Sequence, residues 1–340
     1  MILFDYWRNN ATYLITHKFV PRYKQLQQSK LLRLPLLGIS SFTTYVNLQH
    51  LLFLLFRLLI SMPNYLQARN VDADAPVTPI FEFDNTFIEN LTLLPNGRLL
   101  LTIFGSGNLF PLDPEATDPK TETLITLDGS TGLSGIAALG GGKYTISGGI
   151  HTSFNFQQGS MKVYVVSLPA QNIPAAMIDS IPVPDTRMMN GMAAPPIKSH
   201  IILSADSLGC RILRVDTSTR EAGVVFADAA LNPSADNPTH PLGINGLRIE
   251  GHYLYFSRFP IDDDDNKTGN VEIIARLEGD ENISQAYDDF AFDGYGNTYI
   301  AMHPSSVNKI SPDGKQATIA GNQTNLSFRE PTSVVMAKDS

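Results

Sequence analysis

The chain has 340 residues, of which 17% are charged and 43% hydrophobic, so it can bury a large core and does not have a disordered composition. The net charge of −8 divides unevenly: residues 1–70 carry eight Lys/Arg against the single acid Asp5, a segment charge of +7, and leave −15 on the rest. A body this acidic argues against nucleic-acid binding, and the single Cys210 excludes an intrachain disulfide without excluding secretion.

Residues 1–75 are foreign to the rest of the chain and read as a non-propeller extension, helical or disordered. Two apolar runs stand out there, Leu31–Leu37 and Leu51–Ile60, both broken by charge or proline. Neither supplies the roughly 20 uninterrupted apolar residues of a membrane-spanning helix. The second has the length of a signal-peptide core with positive charge upstream. It predicts a signal anchor or late signal peptide, and with it secretion or a secretory-pathway lumen. Membrane anchoring through residues 31–62 is the alternative, and an amphipathic helix lying on the body is the bland one.

From Pro76 to the end the chain reads as repeats. Stretches opening at Glu89, Ser134, Asn190, Asn245, Asp288 and Glu330 share one shape: a small or acidic polar residue, an apolar strand, a tight turn and a second strand. The intervals are 45, 56, 55, 43 and 42 residues. Such a period, with four short strands per unit, predicts an all-β, six-bladed β-propeller over residues 76–340. The first repeat turns at Asn96-Gly97, the second at Gly140-Gly141-Gly142 and the fifth at Gly294 to Asn297. The sixth has its inner strand, Thr332 to Met336, and little else. Closing it calls for an N-terminal strand, for which Ile80–Phe83 is suited, plus strands from residues 1–70 or an incomplete blade.

Innermost strands line a propeller's channel, so the six opening residues are expected to converge at one mouth. Carboxylates and carboxamides gathered there suit a hard cation such as Ca²⁺ or Mg²⁺, or acid–base work. His303 and His151 follow second strands and can reach the same mouth as acids, and Arg258 can hold an anionic oxygen. Candidate walls are Phe104, Phe154, Phe156, Met189, Met192, Phe256, Phe290 and Met302, each also an ordinary core residue. His240 and His252 are minor candidates, and Asp262–Asp265 reads as a solvated loop. Asn90, Asn266, Asn282, Asn322 and Asn325 match the N-glycosylation pattern. There is no serine nucleophile elbow, phosphate loop or zinc spacing.

These motifs resemble the senescence-marker-protein/gluconolactonase/strictosidine-synthase superfamily of six-bladed propellers. The resemblance implies a metal held by Glu89, by the Asn190 of Asn190-Gly191-Met192, and by Asp288, five residues before Asp293. Ser134 stands where many members carry a further Asn. A nearer resemblance is to a fungal subgroup, through IENLTLLPNGRLL, NGM, LGINGL with YLYFS, DDFAFD and PTS. It implies a hetero-Diels–Alderase of secondary metabolism that joins a tropolone-type o-quinone methide to a sesquiterpene, with no required cofactor. The substrates are then terpenoid and polyketide-derived small molecules. On this reading His303, His151, Arg258 and Asp288 do the chemistry, and Asn245, Phe154, Phe256, Met192 and Phe290 hold substrate. A metal-dependent lactonase or esterase built on Glu89, Asn190 and Asp288 is the alternative, and a non-catalytic ligand-binding propeller is the third reading.

Overall fold

The computed structural model describes residues 2–6, 10–14, 30–35, 77–153, 155–168, 174–233, 242–251, 253–258, 271–276, 286–322 and 328–337. Within these the chain is an all-β propeller with no α-helix; the only helical turn is a 3₁₀ segment at Ala229–Leu231.

Four strands open the chain: β1 (Ile2–Tyr6), β2 (Asn10–Leu14), β3 (Lys30–Pro35) and β4 (Val77–Pro79). The first repeat forms a sheet of β5 (Phe87–Leu93), β6 (Leu99–Phe104), β7 (Asn108–Leu112) and β8 (Ile125–Thr126). The second contains β9 (Gly132–Gly140) and β10 (Lys143–Gly149), then a short ribbon of β11 (His151–Thr152) and β12 (Asn155–Phe156), then β13 (Lys162–Ser167) and β14 (Ala176–Pro182). The third is β15 (Met189–Ala193), β16 (Ile201–Asp206), β17 (Arg211–Asp216) and β18 (Glu221–Ala227). The fourth joins β19 (Ile244–Glu250), β20 (Tyr253–Arg258) and β21 (Glu272–Arg276), with β3 inserted between β20 and β21. The fifth is β22 (Ala286–Phe292), β23 (Thr298–His303), β24 (Ser306–Ile310) and β25 (Gln316–Gly321). In the sixth, β26 (Val334–Met336) pairs with β2, β2 with β1 and β1 with β4.

Three strands of the stretch 1–75 therefore pair with strands of the repeats, two in the sixth sheet and one in the fourth. The rest of that stretch, including the apolar run Leu51–Ile60, lies outside the described residues. Ile80–Phe83, expected as the closing strand, is not a strand; Val77–Pro79 pairs in its place. Ile80, Phe81 and Phe83 instead pack under the first sheet. Phe81 and Phe83 meet edge to face with centroids 4.8 Å apart.

The inner strands pack in sequence order, β5 beside β9, then β15, β19, β22 and β26, and β26 lies beside β5 again. That closed ring explains the core. Each apolar cluster is shared by two successive sheets: Leu100 with Ile136 and Tyr144, Val163 with Met192 and Ile202, Ala205 with Leu247 and Phe256. Ala275 with Phe290, Tyr299 with Val334, and Ile88 with Val335 complete the circuit. A sheet buries its face only against its neighbours, at about 1.5–3 kcal/mol for each large apolar side chain, so each sheet stabilises the next.

The turns follow their local chemistry. Between β5 and β6 the Leu94 amide bonds the Arg98 carbonyl at 2.7 Å, and Gly97 takes φ +81°, a conformation that suits glycine. Between β22 and β23 the Asp293 carboxylate accepts from the Tyr295 and Asn297 amides, both at 2.9 Å.

Candidate functional site

Five hairpins carry a β-bulge at the same place, between Ile88 and Asn90, Leu133 and Ile136, Met189 and Met192, Ile244 and Leu247, and Tyr287 and Phe290. The repeat openings Glu89, Ser134, Asn190, Asn245 and Asp288 are the inserted residues. A bulge re-aims a side chain and sharpens the local twist. All five are buried within the ring of inner strands.

What they touch differs. The Ser134 hydroxyl lies 2.9 Å from that of Ser147 and donates to the Met189 carbonyl at 2.5 Å, so it is spent on holding the third sheet. Asn190 hydrogen-bonds Glu89. Oδ1 of Asn245 is buried without a hydrogen-bond partner among the described residues.

Asp288 and His303 form the centre of the cluster. Asp288 Oδ2 lies 2.9 Å from His303 Nε2, and Glu330 bonds the opposite nitrogen, Nδ1. The imidazole thus bridges two carboxylates, with both nitrogens engaged. Burial pulls His303 down, but the Glu330 and Asp288 carboxylates together outweigh it and push it up to about 10. Burial raises Asp288 to about 6 against the pull of His303. Glu89 is raised well above the usual carboxylate range, first by burial and then by the charge of Asp288. The arrangement near neutral pH is an imidazolium between carboxylates, with Glu89 beside them as a carboxyl whose ionisation burial opposes.

The sixth repeat departs from its expected register. Glu330 opens the sequence motif, but Thr332 and Ser333 occupy the position of the bulge pair: Asp289 donates its amide to the Thr332 carbonyl at 3.1 Å, and the Thr332 hydroxyl donates to the Ile88 carbonyl at 2.9 Å. Glu330 enters with φ +45° as the partner of His303 rather than as a ring member.

Behind the ring runs a second network. Asp289 Oδ2 accepts from Arg248 Nη2 at 2.5 Å, Asn90 Nδ2 at 3.2 Å and the Ser333 hydroxyl at 3.2 Å. Ser333 also donates to Asn90 Oδ1 at 3.0 Å. Opposite the bulges, hydroxyls on the second strands bridge to the next inner strand: Thr102 to the Ser134 carbonyl at 2.5 Å, Ser147 to Met189 at 3.1 Å and Ser257 to Asp288 at 2.5 Å. Sequence reasoning missed Glu330 as a histidine partner, Asp289, Arg248 and these hydroxyls. The recurrence of Thr or Ser near the end of the second strands was the available signal.

His151 sits apart from the carboxylates. Its ring stacks on Phe104 with centroids 5.1 Å apart and meets Phe156 edge to face, and burial lowers its pKa. Phe256 and Phe290 have no accessible surface, and Met192 is 2% exposed. These three, expected to hold substrate, are instead packed in the clusters between sheets, where each inner strand must seal against its neighbour. Phe154, the Arg258 side chain, His240, His252 and Asp262–Asp265 lie outside the described residues. Asp293, the sequence marker five residues after Asp288, is consumed by its turn, with Asn297 Nδ2 also on its carboxylate at 2.8 Å. Asn90 is 1% exposed and bonded to Asp289, so the folded chain offers it to no glycosyltransferase. Among the described residues, no three of His, Cys, Asp and Glu are grouped to hold a metal ion, and no helix is long and apolar enough to cross a membrane. A cavity of about 630 Å³, lined by Gly140, Lys143, Ile178 and His200 among others, lies near the turn end of β9 and β10, away from the bulges.

A protein from Phoma sp described as "Putative hetero-Diels-Alderase" is 24% identical over 290 residues, covering 75% of this chain and 80% of that protein. The chain is similar to that protein over most of its length. No family model matches it. Among solved structures, the Nidogen/Laminin complex aligns with a TM-score of 0.51 at 12% identity, over 77% of this chain and 89% of the other. The PQQ-bound aldose sugar dehydrogenase of Streptomyces coelicolor aligns at 0.50 and 14%, over 74% and 85%. Both likenesses bear on the fold alone.

Proposed function

We propose that this chain is a six-bladed propeller enzyme that catalyses a hetero-Diels–Alder reaction between a tropolone-type o-quinone methide and a sesquiterpene alkene. Six four-stranded sheets in a closed ring support the blade count. The observation that carries the chemistry is the buried Glu330–His303–Asp288 chain with Glu89 beside it. An o-quinone methide forms when a hydroxymethyl tropolone loses water. One group gives a proton to the departing hydroxyl and another takes the ring hydroxyl proton. A carboxyl whose pKa burial raises is better able to give a proton, the role we assign to Glu89. Asp288 takes one, and His303, with both nitrogens engaged, supplies the positive charge that keeps Asp288 ionised. Cycloaddition then forms one C–C and one C–O bond with no atom lost. A donor on the heterodiene oxygen strengthens it as an electrophile, and most of the rate comes from holding two reactants together.

The unpartnered Oδ1 of Asn245 favours a second reading, a metal-dependent lactonase. Glu89, Asn190, Asp288 and that oxygen are the hard donors a Ca²⁺ or Mg²⁺ ion takes, and the ion would supply Lewis-acid polarisation of a carbonyl. The cationic His303 on Asp288 works against this fit.

The test incubates the purified protein with a hydroxymethyl tropolone and humulene in excess chelator, with the adduct followed by mass spectrometry. The expected result is adduct well above the uncatalysed background, falling by about 10²-fold in Glu89→Gln. Background-level adduct together with Ca²⁺-dependent hydrolysis of dihydrocoumarin overturns the cycloaddition reading in favour of the lactonase.

A further inference from the structure

We propose that the mouth of the ring has two recognition walls, and that an aromatic wall in the first and second sheets seats the apolar, alkene-bearing reactant. This rests on the cycloaddition reading and deepens it.

The charged groups fall on one arc. Asp288 and His303 belong to the fifth sheet, Glu330 precedes the sixth, and Glu89 begins the first. Beyond Glu89 the character changes. Phe87 opens β5 two residues earlier and pairs with Phe104 at the end of β6. Their rings stack at 5.4 Å with planes 22° apart. Phe104 then stacks on His151, again at 22°, so three flat rings form one continuous pile. Phe156 buttresses it from the side, edge to face with both Phe104 and His151 at 5.8 and 5.9 Å.

The backbone is shaped to admit this pile. His151 follows the end of β10, where Gly149 pairs with Gly132 at the start of β9. A Cβ on Gly132 would lie 2.7 Å from Cβ of His151, so a larger residue there would displace the histidine. Core packing alone does not account for the pile. Phe156 is fully buried, as a core residue is, whereas Phe87 and His151 keep part of their surface in solvent at the same end as Glu89. The His151 ring has a backbone hydrogen bond at Ser153, while its Nε2 has no hydrogen-bond partner among the described residues.

The two walls suit different molecules. A hydrocarbon gains from stacked ring faces through area and dispersion, and would strip water from the carboxylates with nothing in return. An ionisable tropolone ring has the reverse preference. Reactants seated on opposite walls meet over Glu89, where the new bonds form.

Titration calorimetry with farnesol and with tropolone, each alone, tests the division. Phe87→Ala should weaken farnesol about tenfold and leave tropolone within about twofold, since one aromatic contact is worth about 1 kcal/mol beyond its buried area. His151→Ala, which removes the outer ring without touching β5, should behave alike. His303→Gln should weaken tropolone and spare farnesol. Farnesol binding unchanged in both aromatic variants, or both ligands weakened equally, overturns the proposal. Tropolone binding without any farnesol binding sinks the aromatic wall alone. If the wild-type protein binds neither, the wall and the cycloaddition reading fall together.

Discussion

Two halves of the ring solve one packing problem in opposite ways. In the second, third and fourth sheets the residue after the inserted one is glycine: Gly135, Gly191 and Gly246. A Cβ on Gly135 would lie 1.9 Å from the Asn190 carbonyl oxygen, and one on Gly246 would lie 2.7 Å from Asp289 Oδ1. There the next strand comes in against bare backbone. In the first, fifth and sixth sheets the same position holds Asn90, Asp289 and Ser333, which bond to one another. The difference teaches where the chemistry can be. Close backbone contact fixes strands and, among the described residues, leaves only the Ser147 and Ser257 hydroxyls bridging behind the ring, with no charged side chain at the glycine position. The hydrogen-bonded half carries a polar layer directly behind Glu89 and Asp288, and it is also the seam where the chain closes on itself.

The sharpest way to break this comparison is to give the glycine half a side chain. Gly191→Ala would place Cβ 2.4 Å from the Leu247 nitrogen, 2.6 Å from the Asn245 oxygen and 2.7 Å from the Gly246 carbonyl carbon. All three are backbone atoms of the neighbouring inner strand, so no rotamer change relieves the clash. The expected loss is about 3 kcal/mol, read as a lower urea midpoint at unchanged slope. An unchanged midpoint would mean that the sheets slide apart freely, and the close-contact half of the comparison would fail.

Much of this ring was legible in the chain. The openings from Glu89 to Asp288 recur because each is the inserted residue of a bulge, and a bulge needs a residue type as well as a position. The sixth slipped by two residues, since Glu330-Pro331 imitates an opening while Thr332-Ser333 makes the contacts. The apolar residues were legible as core but not by role. Phe256 and Phe290 alternate on strands as wall residues would, and only the ring geometry turns them towards a neighbouring sheet. The His303–Glu330 pair joins residues 27 positions apart across the entry to the last sheet, and no local pattern encodes it.

The hydrogen-bonded half is tested next. Asp289→Asn keeps the shape but removes the charge facing Arg248, and its amide nitrogen cannot accept from Asn90 or Ser333. Removing one partner of a buried ion pair costs about 3 kcal/mol, offset here because the Arg248 side chain is 22% exposed, so about 2 kcal/mol is expected. The same variant should lower activity, since Asp289 adjoins Asp288 and anchors Arg248 of β19, Asn90 of β5 and Ser333 just before β26. A loss of stability with full activity would separate the polar layer from the catalytic cluster.

The smallest effect is the most diagnostic, because it depends on charge alone. His303 is held at about 10 in the folded chain against an ordinary value near 6.5. The folded state therefore binds this proton more tightly than the unfolded chain. The stability it contributes is complete below about pH 6.5 and is lost as the pH climbs towards 10. Asp288, raised to about 6, acts with the same sign at lower pH, so its loss is over before the histidine window is well entered, and Glu89, also raised, adds a loss of the same sign that the wild-type chain and His303→Gln share. Urea midpoints measured from pH 6.5 to 10 should fall in the wild-type chain, by an amount on the order of 1–2 kcal/mol given partial screening at the mouth. In His303→Gln the decline should flatten, because glutamine fills much of the same space and carries no proton to lose. Equal slopes in the two proteins would show that His303 is not held as a cation between Glu330 and Asp288, and the charged half of the ring would then need a different account.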